Sequence, residues 1–318
     1  MSLLAVRNLS TFYKTMRGFV RAVENVSFEL REKEALGFAG ESGCGKTTIA
    51  LSLLRILPNN GVIVNGQILF RDMDIVKMNE DELRKKIRWK KISLVFQGAM
   101  NALNPVYRIE DQIIEAIKTH ELGISKTEAK KRARQLFELV GIEPSRITHY
   151  PHEFSGGMRQ RAMLAMALAT NPELLIADEP STALDVIVQA QVLKLIKELK
   201  EKLNLSLILI THDLSIITET CDKVAIMYAG KIVELGSVGD VYKEKLHPYA
   251  RGLVSAFPSI NAPRTRMNSI PGSPPDLLSP PSGCRFNPRC EFAMDICRKK
   301  EPQLIEVKKG HLVACHLF

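Results

Sequence analysis

At 318 residues, 45% hydrophobic and 25% charged, the chain can bury a sizeable core and has neither a fibrous nor a disordered composition. Its net charge of +9 is interleaved with acidic residues except in short runs such as RKKIRWKK at 84–91, so charge alone selects neither a nucleic acid nor a membrane surface. No apolar run reaches the roughly 18 residues of a membrane span, and MSLLAVRNLS lacks the regions of a signal peptide, so a cytoplasmic chain with reduced cysteines is expected.

Along the chain, apolar segments suited to strands recur: AVENVSFEL, EALGFAG, GQILF, ISLVFQ, ELLIAD, LSLILIT and KVAIMYAG. Their alternation with helical stretches predicts an α/β core built on a largely parallel sheet covered on both faces. Between ISLVFQ and ELLIAD the pattern turns helical, in IEDQIIEAIKTHEL, KTEAKKRARQLFELV and SGGMRQRAMLAMALA, so an inserted helical subdomain is expected over about 98–170. Beyond residue 257 the Pro- and Ser-rich FPSINAPRTRMNSIPGSPPDLLSPPSG predicts a linker into a separate tail, giving domains 1–257 and 258–318.

GESGCGKT, residues 40–47, fits G-x-x-x-x-G-K-[ST], follows the strand EALGFA and opens the helix TIALSLLRIL, which is the setting of a phosphate-binding loop. Gly43 and Gly45 let backbone amides wrap phosphates, Lys46 reaches the β and γ oxygens, and the Thr47 hydroxyl suits Mg²⁺. The nucleotide-binding set over this stretch is Gly40, Ser42, Gly43, Cys44, Gly45, Lys46, Thr47 and Thr48. ELLIADEP ends an apolar strand in two carboxylates, of which Asp178 suits the metal's outer coordination and Glu179 the attacking water. His212, after LILIT, and Gln97, closing ISLVFQ, stand where α/β folds bind ligands and are candidates to contact the γ-phosphate, the water or the metal. FSGGMRQR offers a second helix start fit for an anion.

GESGCGKT, VFQ, FSGGMRQR, LLIADEP, STALD and ITHD, in this order, resemble the Walker A, Q-loop, signature, Walker B, D-loop and switch-histidine motifs of ATP-binding-cassette ATPases, over roughly residues 3–257. The resemblance implies ATP and Mg²⁺ as cofactors and two cassettes packed head to tail, with Ser155, Gly156 and Gly157 of one on the γ-phosphate held by the other. It also implies an aromatic stacked on adenine, here Tyr13 with Phe12 as its neighbour, and Asp185 at the dimer seam. The segment from Gln97 to Pro105 would then meet coupling helices of membrane subunits.

ALNPVYRI, Met158 in SGGMRQR, KLHPYARGLVSAFP and the cysteine tail are similar to the first of two paralogous ATPases of oligopeptide/dipeptide importers. That implies a different cassette as dimer partner, two permease subunits, a solute-binding protein, no nucleic acid, and a place at the cytoplasmic face of the membrane. The cargo would be peptides or related solutes such as oligosaccharides or nickel. Four of the six cysteines, Cys284, Cys290, Cys297 and Cys315, form C-x5-C-x6-C-x17-C, without the paired C-x2-C knuckles of zinc sites. In this family the matching cysteines are associated with a [4Fe–4S] cluster in some members. Zinc, with His311 or His316 as substitute ligands, and unmetallated thiols are the alternatives. Such a cluster would brace the tail, apart from hydrolysis. Cys44 and Cys221 are expected as small buried residues. A soluble cassette acting on ribosomes or DNA is the rival reading, weakened by the single cassette. Intact Lys46, Asp178, Glu179 and His212 oppose a catalytically dead cassette.

Overall fold

The computed structural model describes residues 2–98, 102–182, 184–255 and 270–318. Two compact units divide the chain: the first holds Met1–Arg31, Ala35–Val76 and Leu209–Phe318, the second Glu32–Glu34 and Lys77–Ile208.

The first unit opens with an antiparallel hairpin, β1 (Ser2–Thr15) on β2 (Gly18–Arg31). After β3 (Ala35–Ala39) and α1 (Lys46–Leu54), β4 (Gly61–Phe70) returns to pair with β1, and β5 (Met73–Asp74) completes a sheet of order β2-β1-β4-β5. The β1–β2 register shifts at several points, and Asn8 and Asn25 take φ of 49° and 51° beside them. Leu3 through Val6 are nonetheless buried in succession where Leu4, Ala5 and Val6 pair in unbroken register with Leu30, Glu29 and Phe28, so both faces of β1 are covered there.

In the second unit come α2 (Glu80–Glu82), β6 (Ile92–Val95), α3 (Ile109–His120), α4 (Lys126–Leu139) and α5 (Gly156–Ala167). Ser125 and Glu128 close a reciprocal capping box at the start of α4. The apolar stripes of these helices, including Ile109, Ile113 and Ile117 of α3 and Ala129, Ala133 and Phe137 of α4, are fully buried. β7 (Leu174–Asp178) then pairs in parallel with β6, and α6 (Val186–Leu203) leads into β8 (Ser206–Ile210), within which the chain passes back to the first unit.

There the chain continues as α7 (Leu214–Thr220), β9 (Lys223–Tyr228), β10 (Lys231–Ser237), α8 (Val238–Glu244) and α9 (Pro248–Ser255). Beyond the undescribed stretch, α10 (Asp295–Lys299), β11 (Ile305–Lys308) and β12 (His311–Val313) follow. β3 pairs in parallel with β9, while β9-β10-β12-β11 is antiparallel. Gly37 lets α7 close on β3, since a Cβ there would lie 2.5 Å from Ile217 Cγ2.

The α/β class holds, but the sheet is less parallel than its apolar segments suggest: AVENVSFEL and GQILF belong to the antiparallel sheet, and KVAIMYAG has an antiparallel neighbour on one side. Continuous apolar runs report burial on both faces, not strand direction. The tail likewise gives two strands to the sheet and buries Phe286, Val313 and Ala314, so it carries more core than its composition suggests. Part of the expected linker, 258–269, and part of the Gln97–Pro105 segment, 99–101, lie outside the described residues.

Candidate functional site

The phosphate-binding loop leaves β3 and enters α1 through three glycines in left-handed conformations: Gly40 at φ 152°, Gly43 at 78° and Gly45 at 107°. Two of them are forced by their surroundings, because a Cβ on Gly40 or Gly45 would stand 2.2 Å from the carbonyl oxygen of Met227 or Ala22. Gly43 differs in that a Cβ there meets nothing within 4 Å, so its side faces open space. An incoming phosphate has room there, with Ser42 and Thr47 also exposed and Thr48 buried. The buried Lys46 donates from Nζ to the carbonyls of Gly40 at 2.6 Å and Glu41 at 3.0 Å. Cys44 is buried, its sulfur 3.6 Å from Lys46 Nζ, and burial pushes its thiol pKa up against the pull of that ammonium. Only its backbone remains for a ligand.

Tyr13, on β1, stands over the first turn of α1 and shares a 3.2 Å hydrogen bond with the Thr48 hydroxyl. Gly61 allows this placement, since a Cβ there would be 2.9 Å from Tyr13 Cε1. His212 is exposed just past β8, directly before Asp213, which caps α7.

In the second unit β7 is buried throughout and ends in Asp178, itself 1% exposed. Glu179 follows at φ 45°, a left-handed conformation that costs a non-glycine residue about 1 kcal/mol or more and is found at functional sites. Its Oε2 accepts 2.9 Å hydrogen bonds from Gln97 Nε2 and from the Thr182 hydroxyl. The two donors fix the carboxylate where the backbone turns. Thr182 escaped the sequence reading although it lies within STALD, because its partner is a side chain three residues back, which no spacing announces.

Ser155 is the N-cap of α5, its hydroxyl accepting from Met158 N at 3.3 Å, and it remains exposed. Gly157 admits α6 closely, a Cβ there meeting Val188 Cγ1 at 2.6 Å. Asp185 caps α6 through Val188 N at 2.9 Å and is exposed too. Each unit thus assembles its own share of the candidate residues. Tyr13, the loop and His212 lie in the first, and Gln97, Ser155, Gly156, Gly157, Asp178, Glu179 and Asp185 in the second.

Within the first unit the cysteine tail reaches the phosphate loop. Arg289 grips the Glu41 carboxylate with both terminal nitrogens, at 2.6 and 2.9 Å, while its Nε donates to Pro271 O at 2.7 Å. The Glu41 amide donates to the Tyr249 hydroxyl at 2.9 Å. Tyr228, Tyr249 and Phe286 stack around this point with centroids 4.6–5.4 Å apart, and Arg285 pairs with Glu24. Neither Glu41 nor Arg289 was a sequence candidate. One fills a variable position of the loop motif, and its partner is 248 residues away.

Burial first, and after it the charges of neighbouring tail cysteines, raise the thiol pKa of Cys284, Cys290 and Cys315, that of Cys284 up to about 11. Backbone N–H groups of Phe286, Phe292 and Leu317 point at the sulfurs of Cys284, Cys290 and Cys315. Four thiols match the donor set of a [4Fe–4S] centre in number and chemistry. Even so, no group of three or more His, Cys, Asp or Glu among the described residues is placed to hold a metal ion, so the iron–sulfur expectation gains no support from geometry. His311, named as a substitute ligand for zinc, is 1% exposed, with its Nε2 2.8 Å from Glu234 Oε1. His316 Nε2 is likewise engaged, on Lys300 O at 2.8 Å.

Comparison with known proteins agrees with this geometry. The ABC transporter family matches residues 23–182, and the C-terminal region of oligopeptide/dipeptide transporters matches residues 233–297. The chain is 41% identical over 317 residues to a dipeptide transport ATP-binding protein of Caldanaerobacter subterraneus subsp. tengcongensis, covering 99% of this chain and 97% of that one. It is 46% identical over 316 residues to an oligopeptide transport ATP-binding protein of Escherichia coli, covering 99% and 93%. Among solved structures, a dimeric ATP-binding cassette in a post-hydrolysis state with ADP and Pi superposes with a TM-score of 0.66 at 27% identity, over 74% of this chain and 98% of that one. A cassette from Clostridium perfringens, part of an ABC transporter complex, gives 0.66 at 27%, over 77% and 92%.

Proposed function

The chain belongs to the ABC transporter ATPases and carries the C-terminal region of their oligopeptide/dipeptide branch, and from that premise we propose that it powers the import of peptides. It is an ATP-binding and ATP-hydrolysing subunit. The likeness to a dipeptide transport ATPase over 97% of that protein, tail included, carries the reading. The relatives above are named for peptides, not for the oligosaccharides or nickel that the motifs also admit, and not for ribosomes or DNA.

In the proposed reaction Lys46 and the amides from Gly43 to Thr48 grip the β and γ phosphates, and Tyr13 takes the adenine. Thr47, Gln97 and Asp178 would hold Mg²⁺, which when bound neutralises phosphate charge. Glu179, locked by Gln97 and Thr182, orients water on the γ-phosphate, and His212 meets the same phosphate. Exposure of the Ser155 cap and of Asp185 supports their use across a dimer seam, with a paralogous cassette as the partner. ATP would then join the two cassettes and hydrolysis would release them.

No helix among the described residues is long and apolar enough to cross a membrane. The likeness to dipeptide and oligopeptide transport ATPases supports two permease subunits that anchor the chain at the cytoplasmic face and receive a solute-binding protein outside. The tail cysteines are proposed to hold a [4Fe–4S] cluster, a reading supported by the count of four thiols, which is the donor set such a centre takes. Iron and acid-labile sulfide analysis of anaerobically purified chain tests this, and a chain free of both overturns it.

Mass spectrometry of what co-purifies with the tagged chain from detergent-solubilised membranes tests the importer. Two multispanning proteins and a second cassette are expected. Ribosomal or DNA-repair proteins without a membrane partner would overturn the reading.

A further inference from the structure

The phosphate loop carries a negative charge of its own. Glu41, its second residue, places a carboxylate in a segment whose remaining groups, Lys46 and the free amides opening α1, are arranged for an anion. An uncompensated carboxylate at that point repels the phosphates it helps to surround.

The compensating charge comes from the far end of the chain. Arg289 meets Glu41 in the two-pronged arrangement that is the strongest carboxylate grip available to a side chain. Its side chain is 4% exposed, the guanidinium steadied by Pro271 O through Nε and lying over the Tyr228 ring with 5.7 Å from Cζ to the centroid. The same carboxylate's residue is tied by its amide to Tyr249, in α9. Side chain and backbone of one loop residue are thus held by groups that follow the cassette's last strand. Arg289 immediately precedes Cys290, so its position is set by the segment that carries the tail thiols.

We propose that Arg289 is a positioning residue of the nucleotide site: it neutralises and anchors Glu41, and through it the cysteine tail sets the affinity of the phosphate loop. The proposal rests on nucleotide binding by this chain and not on its cargo or partners.

The test is equilibrium titration of the isolated full-length chain with Mg-ATP. Arg289→Gln, which leaves the carboxylate in place, is expected to weaken binding about tenfold, and Glu41→Gln/Arg289→Gln, which removes both charges, to return it to within about threefold of wild type. A role in folding alone does not give that recovery, since the double variant lacks the ion pair altogether. Wild-type affinity in Arg289→Gln, or a double variant as weak as the single, overturns the proposal. If Arg289→Gln does not fold, Arg289→Lys and Glu41→Gln/Arg289→Lys are read instead. Lysine cannot make the paired bonds, so a loss of at least about threefold and its recovery in the double are required. An Arg289→Lys chain that binds as tightly as wild type overturns it. Failure of the wild-type chain to bind Mg-ATP would count against the nucleotide assignment itself, which separates the two failures.

Discussion

Glu179 shows how much of the site is decided one residue at a time. Its left-handed backbone and the two donors on Oε2 spend conformational freedom on a single carboxylate orientation, which a solvated strand end does not need. Glu179→Gln keeps the side-chain shape and removes the proposed base, so ATP affinity should stay within a few-fold while phosphate release falls by about a hundredfold or more. Near-normal turnover would move the role to another residue. The loop glycines separate two further functions. Gly43→Ala should cost about 1 kcal/mol for the left-handed backbone alone, with no clash, yet put a methyl group into the space left for phosphate. Gly40→Ala drives its methyl into Met227 O and should lower the melting temperature much further. Thermal melts and ATP titrations of the two variants therefore rank them in opposite senses: small stability loss with lost binding for one, large stability loss for the other.

At the scale of elements, α5 tests whether its first residue is a cap or a contact. Ser155 accepts from Met158 N, so Ser155→Ala should cost about 1 kcal/mol as any lost N-cap does. Ser155→Asp keeps a capping oxygen and adds a negative charge where the partner's γ-phosphate is proposed to sit. It should melt close to wild type and lose ATP-driven association with the partner cassette, measured by light scattering; retained association removes Ser155 from the interface. The elements differed in how plainly they could be read. The loop, β7 and the helices from α3 to α5 were legible because each pairs a local signal, such as a glycine motif or an i, i+4 apolar stripe, with a clear boundary. β1 was not, since both its faces are buried from Leu3 to Val6 and its register slips around Asn8, and neither was β10, in which Glu234 interrupts the apolar run. That glutamate is 0% exposed because it accepts the amides of Leu246 and His247, at 3.1 and 2.7 Å, and faces His311. Such a network joins residues 234 to 311, a span that no local pattern encodes.

For the whole molecule the consequence is that the chain end is tied into the cassette by buried polar groups, and acid should reveal it. His247, 1% exposed and accepting from Tyr249 N, is held neutral by burial and, secondarily, by the charge of Arg251, its pKa lowered from 6.5 to about 3. The unfolded chain binds that proton and the folded chain does not, so stability is intact above about pH 6.5 and declines as pH falls toward 3, by about 1.4 kcal/mol per unit. Urea midpoints measured from pH 7 to 5 should fall, and fall less in His247→Gln; parallel slopes would place the acid sensitivity elsewhere. The tie at Arg289 makes a second demand, because coupling between two sites is reciprocal. If the tail sets the loop's affinity for phosphate, phosphate in the loop must in turn steady the tail. Mg-ATP should therefore slow amide hydrogen exchange in the tail around Arg289, about twofold or more in the wild-type chain, and leave the rate unchanged in Glu41→Gln/Arg289→Gln, where the link is cut. Equal protection in both chains would show nucleotide reaching the tail by another route and leave Arg289 outside it.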